Sequence, residues 1–209
     1  MEARIREKGL IFNSEMVRAI LDGRKTQTRR PIKWKQTRFT EIGEREDGSK
    51  WPWSEDAEHA CDFWHPCPFG AVGDRIWVRE TWNKYGGLLT YRADHDWIDD
   101  MRKETVCTAK WVPSIHMPRW ASRILLEITD VRVERLNAIS EEDATAEGVP
   151  PAGSLLPDYL GTFLTPKGDF ATAKVAFQRL WESIYGEESW KANGWVWVIS
   201  FKRVEGGAA

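Results

Sequence analysis

The chain has 209 residues, of which 42% are hydrophobic and 30% charged, with a net charge of -2; that is enough apolar material for one core and too little positive charge for a nucleic-acid coat, so any such contact must be local. No stretch approaches the ~20 apolar residues a membrane span requires, and the opening Met1 to Lys8 is charged rather than signal-like, so a cytoplasmic protein with no membrane partner is expected. Three cysteines, an odd number, do not suggest a disulfide framework, and thirteen tryptophans exceed what a core of this size needs, which points to an aromatic-lined pocket or a base-stacking platform.

In chain order, the apolar Gly9 to Phe12 reads as a strand and Ser14 to Asp22 as a helix, with Met16, Ala19 and Ile20 at the spacing of one face and Gly23 as its stop. Residues 31 to 70 lose periodicity and hold four prolines and four tryptophans, the pattern of an insertion that orders by packing. From Gly73, the alternation of Ile76, Trp77, Val78 and Arg79 predicts a half-buried strand, with Leu88 to Arg92 as its hairpin partner after Gly86-Gly87. A second irregular insertion spans residues 93 to 117. Arg123 to Leu136 carries the longest period-two signal, interrupted near Thr129-Asp130 where a bend or bulge is expected. Ser140 is the predicted N-cap of a helix, with Asp143 in a box-like position and Gly148 as its stop. Pro150 to Phe170 reads as a loop. Thr172 to Tyr185 reads as a helix with Val175, Leu180 and Ile184 on the side that also carries Phe177 and Trp181, and Trp195 to Phe201 is the last strand before a frayed tail from Glu205 to Ala209.

The densest chemistry lies in Gly23-Arg24-Lys25-Thr26-Gln27-Thr28-Arg29-Arg30, which sets one amine, two hydroxyls and three guanidinium groups in one turn. If the chain leaves the helix extended, Thr26, Thr28 and Arg30 face one way and Lys25, Gln27 and Arg29 the other, so a twist or bulge is needed to bring Lys25 beside Thr28. On composition alone a solvated basic turn is the plainer account. With Lys33 and Lys35 the same run also forms a local basic patch able to track phosphates. In His59-Ala-Cys61-Asp-Phe-Trp-His65-Pro-Cys67, four ligand-type residues lie close together, but the spacing is not that of a zinc knuckle and no second pair follows, so no metal or cofactor is assigned.

The run from Gly9 to Arg30, the stretch Gly73-Asp-Arg-Ile-Trp-Val-Arg-Glu80, the phrase Ile139-Ser-Glu-Glu-Asp-Ala-Thr-Ala-Glu-Gly148 and the closing Trp195-Val-Trp-Val-Ile-Ser-Phe201 together resemble the ASCH family, in particular its larger phage and prophage members. The resemblance implies an α+β architecture, a PUA-like mixed β-barrel with flanking helices, here one domain over residues 1-209 with insertions at about 31-70 and 93-117. It implies a ligand that is a nucleoside or RNA, with DNA as an open alternative. By motif position it implies catalytic roles for Lys25, Thr28 and Glu147, the set with which amidohydrolase members remove the acyl group from N4-acetylcytidine or a related modified nucleoside. In that chemistry a desolvated lysine activates the threonine hydroxyl, the glutamate orients the amine or protonates the leaving amino group, and Arg30 holds the oxyanion. Arg24, Thr26, Arg29, Arg30, Arg79, Glu80, His116, Arg119 and Trp120 are the implied substrate or nucleic-acid contacts. Two other functions stay open within the same resemblance: a non-catalytic RNA or modified-base binding module, and a ribonuclease.

Overall fold

The computed structural model describes residues 5-33, 41-56, 61-85, 87-95 and 110-204. Its centre is a five-stranded mixed sheet of order β1-β6-β9-β12-β2, built from β1 (Glu7–Ile11), β2 (Gln27–Pro31), β6 (Arg75–Arg79), β9 (Leu125–Arg135) and β12 (Trp195–Arg203). Strand β1 runs parallel to β6, and the remaining pairs are antiparallel. The last strand, β12, alternates between two cores: Trp197, Ile199 and Phe201 join Leu10, Phe12, Ile76, Leu126 and Ile128 on one face, while Val196 and Val198 meet Phe177, Trp181 and Trp190 on the other. A strand covered on both faces reads as a continuous apolar run, which is how Trp195 to Phe201 reads in the sequence.

Strand β9 shows why its alternation breaks. Leu126 and Ile128 lie on the same core face as Val131 and Val133, an even-to-odd change of phase that one extra residue restores. Opposite Ser200 and Phe201 the register jumps from Asp130 to Ile128, leaving Thr129 as the bulged residue.

The sheet is open where a barrel was expected. Its edge strands β1 and β2 share no ladder among the described residues, although Arg30 of β2 donates to the carbonyl of Ile11 at 2.7 Å and its guanidinium lies 5.3 Å from the Phe12 ring. The edges are thus close enough to be bridged by a side chain. The N–H of Ile32 donates to Trp195 O at 3.0 Å, so the nitrogen of Pro31 faces the free edge, where it has no hydrogen to offer.

Helix α1 (Ser14–Leu21) packs Val17 and Ile20 into the first core and is capped by Asn13, whose side chain accepts from Met16 N. On the opposite face lie α2 (Glu141–Ala146), α3 (Ala173–Tyr185) and α4 (Glu187–Lys191). Ser140 caps α2 by accepting from Asp143 N at 3.1 Å, but the Asp143 carboxylate turns to Arg29 and Arg132 rather than back to the cap. In α3 the buried residues are Ala173, Ala176, Phe177 and Trp181. Val175 and Ile184 are exposed, so the helix is rotated from the face that the larger aliphatics suggest, because the two aromatic rings hold the contact with β12.

The described part of the first insertion is regular. A three-stranded antiparallel sheet joins β3 (Glu41–Glu44), β4 (Lys50–Asp56) and β5 (Cys61–Trp64), hidden from a sequence reading by Pro52 within β4. The predicted hairpin also differs: the chain leaves the main sheet at Glu80, and β8 (Leu88–Tyr91) pairs with the new strand β7 (Trp82–Tyr85) instead of β6. Within Pro150 to Phe170 a 3-10 turn occupies Gly153–Leu155, and β10 (Phe163–Leu164) pairs with β11 (Phe170–Ala171). The tail from Glu205 and most of the second insertion, residues 96-109, lie outside the described residues.

Candidate functional site

Strand alternation sorts the basic turn into two environments. On the face of β2 that meets α2, Lys25, Gln27 and Arg29 are all buried. The Lys25 amine donates to the Glu147 carboxylate and to the Glu147 backbone carbonyl, both at 2.8 Å. Arg29 reaches Asp143 at 2.7 Å, Glu134 at 3.1 Å and Glu147 at 3.3 Å, and it also donates to Gln27 at 2.5 Å. Arg132 closes the network on Glu134 and Asp143. The side chains of Lys25 and Arg29 are 0% exposed, and that of Glu147 is 3% exposed.

The turn is seated by backbone bonds. Lys25 N donates to Ala19 O and Thr26 N to Ala146 O, both at 2.9 Å, which ties the end of α1 to the end of α2. Gly148 lies so close that a Cβ there would meet Lys25 Cβ at 2.7 Å and Ala19 Cβ at 2.9 Å, and its φ is +86°. Both facts demand glycine.

Burial pushes the Lys25 amine below its ordinary range, with Arg30 and Arg29 adding to the shift and Glu147 opposing it. For Asp143, burial favours the neutral acid, but the hydrogen bond and charge of Arg29, with Arg132, outweigh it and hold the carboxyl below its usual range.

Thr28 pairs with Ile199 across the ladder, on the opposite face of β2 from Gln27 and Arg29. Its hydroxyl makes no hydrogen bond with Lys25 or Glu147 among the described residues. The structure therefore joins two of the three motif residues and sets the third apart. Thr26 is exposed, and Arg24 bridges Gly148 O at 3.1 Å and Asp22 at 3.0 Å at the rim.

The other expected contacts gather elsewhere. Glu80 is buried against Arg123, at 2.9 and 3.1 Å, and Arg123 also holds Asp94; burial raises the Glu80 carboxyl above its usual range despite Arg123. Arg79 donates to the carbonyls of Ser114 and Ile115, Arg119 pairs with Glu7 at 2.9 Å, and His116 is exposed. Trp120 is 57% exposed, edge-on to Trp82 and beneath the Lys84 amine.

A cleft of about 920 Å³ opens between the edge strands of the main sheet and the insertion sheet. Lys8 of β1, Arg30 of β2, Arg45 in the turn after β3, Trp51 of β4, Trp64 of β5 and Trp197 of β12 all line it. Arg6 and Lys33 add two further cations. None of Arg6, Lys8, Arg30, Lys33 and Arg45 forms a salt bridge with a described residue. Asp74, the carboxylate among the lining residues, is engaged by the backbone N–H groups of Arg6 and Ala71 at 3.0 Å. Of the four ligand-type residues in the first insertion, His65 and Cys67 line this cleft. His65 Nε2 lies 2.9 Å from Ser54 Oγ, and burial pushes the Cys67 thiol up to about 11, so it is not a thiolate at neutral pH. His59 and the Cys61 side chain lie outside the described residues.

Apart from Arg30 and Lys33, which the sequence reading placed in a local basic patch, the cleft was not found from the sequence. Its cations come from three separate segments, Arg6 to Lys8, Arg30 to Lys33 and Arg45, and the signal available was the surplus of tryptophan at positions 51 and 64. No known protein family, curated protein or solved structure matches the chain.

Proposed function

We propose that this chain is a nucleobase- or nucleic-acid-directed protein of PUA-like, ASCH type that holds its ligand by aromatic contact and phosphate pairing without hydrolysing it. The observation that carries this reading is the set of five cations, none in a salt bridge with a described residue, that share a cleft with Trp51, Trp64 and Trp197 and with a single lining carboxylate, Asp74. Cations that a protein leaves uncompensated around a concavity favour an anionic ligand, and tryptophan rings among them favour one that also has planar faces. Filter binding of RNA and DNA oligonucleotides at rising salt tests it. The logarithm of the binding constant should fall linearly with the logarithm of salt concentration, by roughly 0.7 to 0.9 per phosphate contacted, and absence of binding at low salt sinks the reading.

One observation favours a second reading, the deacylation of N4-acetylcytidine or a related nucleoside. The Lys25 amine lies 2.8 Å from Glu147 at the motif positions, and burial biases it toward the neutral form a general base needs. Against it stand the full burial of the pair and the opposite orientation of Thr28. Conversion of N4-acetylcytidine to cytidine, abolished in both Lys25→Ala and Thr28→Ala, would replace the binding-only reading. RNA shortening that survives Thr28→Ala would mark a nuclease.

A further inference from the structure

We infer that the cleft takes single-stranded nucleic acid, with Arg45 at a phosphate and Trp64 against a base, and that it discriminates against duplex. This rests on the nucleic-acid-directed reading above and specifies the form of its ligand.

The Arg45 guanidinium carbon lies 4.2 Å from the Trp51 ring centroid and 5.2 Å from that of Trp64. Two rings therefore fix the cation in place, and although the Asp47 carboxylate feels its charge, Arg45 forms no salt bridge with a described residue, so its donors remain available to a phosphate. Trp51 is itself held edge-on by Trp197 of the main sheet, with centroids 5.2 Å apart, which anchors the clamp to the core. Trp64 sits over Gly43, where a Cβ would come within 2.9 Å of the ring, and it is only half-buried. Its accessible part lines the cleft, where a planar partner can reach it. Lys8 lies on the opposite wall with an exposed side chain whose amine is bound to Pro68 O at 2.8 Å, so a second phosphate can compete for it.

Base faces inside a duplex are already stacked on their neighbours, so a duplex offers this cleft phosphates alone. A single strand offers both phosphates and faces, and stacking on tryptophan is tolerant of base identity. The cleft volume, about 920 Å³, is at the upper end of the ~300–1,000 Å³ typical of small-ligand sites, and the arrangement of cations on both walls suits a strand passing through.

Fluorescence anisotropy of one labelled oligonucleotide, as a single strand and as its duplex, tests the inference on the full chain and on Trp64→Ala, Arg45→Gln and Lys8→Gln. The single strand should bind more tightly than the duplex. Trp64→Ala should weaken it by roughly 5- to 100-fold with the salt slope unchanged. Arg45→Gln and Lys8→Gln should each lower the slope by about 0.7. Lys8→Gln alters an exposed side chain, so it keeps the test alive where thermal melting shows Trp64→Ala to be unfolded. Equal or tighter binding of the duplex, or single-strand affinity indifferent to both Trp64 and Arg45, overturns the inference and leaves the broader reading standing. Failure to bind either form removes both.

Discussion

Arg29 and Arg30 are adjacent on β2 and face opposite sides of the sheet. Arg29 is 0% exposed and meets three carboxylates, while Arg30 meets a backbone carbonyl and the Phe12 ring and lines a cleft with four further cations. The first region is balanced in charge: Lys25, Arg29 and Arg132 face Glu134, Asp143 and Glu147, and although Arg29 Nε has no hydrogen-bond partner among the described residues, the buried centre is where each lost partner is costly. The second is incomplete, since its positive charge is held in position by aromatic rings and backbone carbonyls. A network that satisfies itself holds the fold together, and one that leaves charge over can attract a ligand. The comparison predicts that substitutions on the Arg29 side act on stability and those on the Arg30 side act on binding.

The largest expected effect is that of Glu147→Ala. It removes the carboxylate acceptor of Lys25, whose amine keeps only the backbone carbonyl of residue 147, and one acceptor of Arg29, leaving the buried amine without a counter-charge, and should cost about 3–5 kcal/mol in urea unfolding. A loss below about 1 kcal/mol would show that the pair is solvated, and the division between the two regions would collapse. Gly148→Ala comes next. The left-handed backbone alone costs roughly 1–2 kcal/mol, and the 2.7 Å approach to Lys25 Cβ adds to it by displacing the amine from Glu147.

Lys25→Met sharpens the contrast through pH. Folded Lys25 releases its proton below the ordinary value of 10.5, so between its folded and unfolded pKa the unfolded chain binds more protons. Its contribution to stability is therefore fully present above 10.5 and is lost as pH falls through the folded value. The wild-type protein should gain stability relative to Lys25→Met as pH rises toward that limit. A difference that stays flat across the alkaline range would mean that the amine titrates as if exposed.

The elements that were legible in the sequence are those whose pattern is local. The helix read over Ser14 to Asp22, the Thr129 bulge and the Ser140 cap follow from periodicity and capping within a few residues. The α+β character followed too, but the expected closed barrel did not, because which strands become neighbours is a long-range property that local alternation does not carry. In α3, the large aliphatics Val175 and Ile184 pointed to the wrong face, since burial there is decided by how Phe177, Trp181 and Trp190 pack against Val196 and Val198. The Lys25–Glu147 contact joins residues 122 apart and was suggested only by resemblance, whereas the separation of Thr28 from Lys25 was implicit in the alternation of an extended chain. The cleft was the least legible feature, being assembled across two sheets.

The smallest expected effect on stability is the one that most sharply separates the two regions. Arg45→Gln removes a cation that has no salt bridge with a described residue and loses its cationic contacts with the Trp51 and Trp64 rings, so unfolding free energy should fall by no more than about 1 kcal/mol. Glutamine keeps a polar end and a similar stem, so its packing over Trp51 is largely preserved. If Arg45 instead served the fold, the variant would melt early and bind nucleic acid with an unaltered salt slope in whatever fraction stayed folded. If it serves a ligand, melting shifts little while the slope falls, and one charge then has the opposite role from Arg29, which is buried under α2 on the far side of the main sheet.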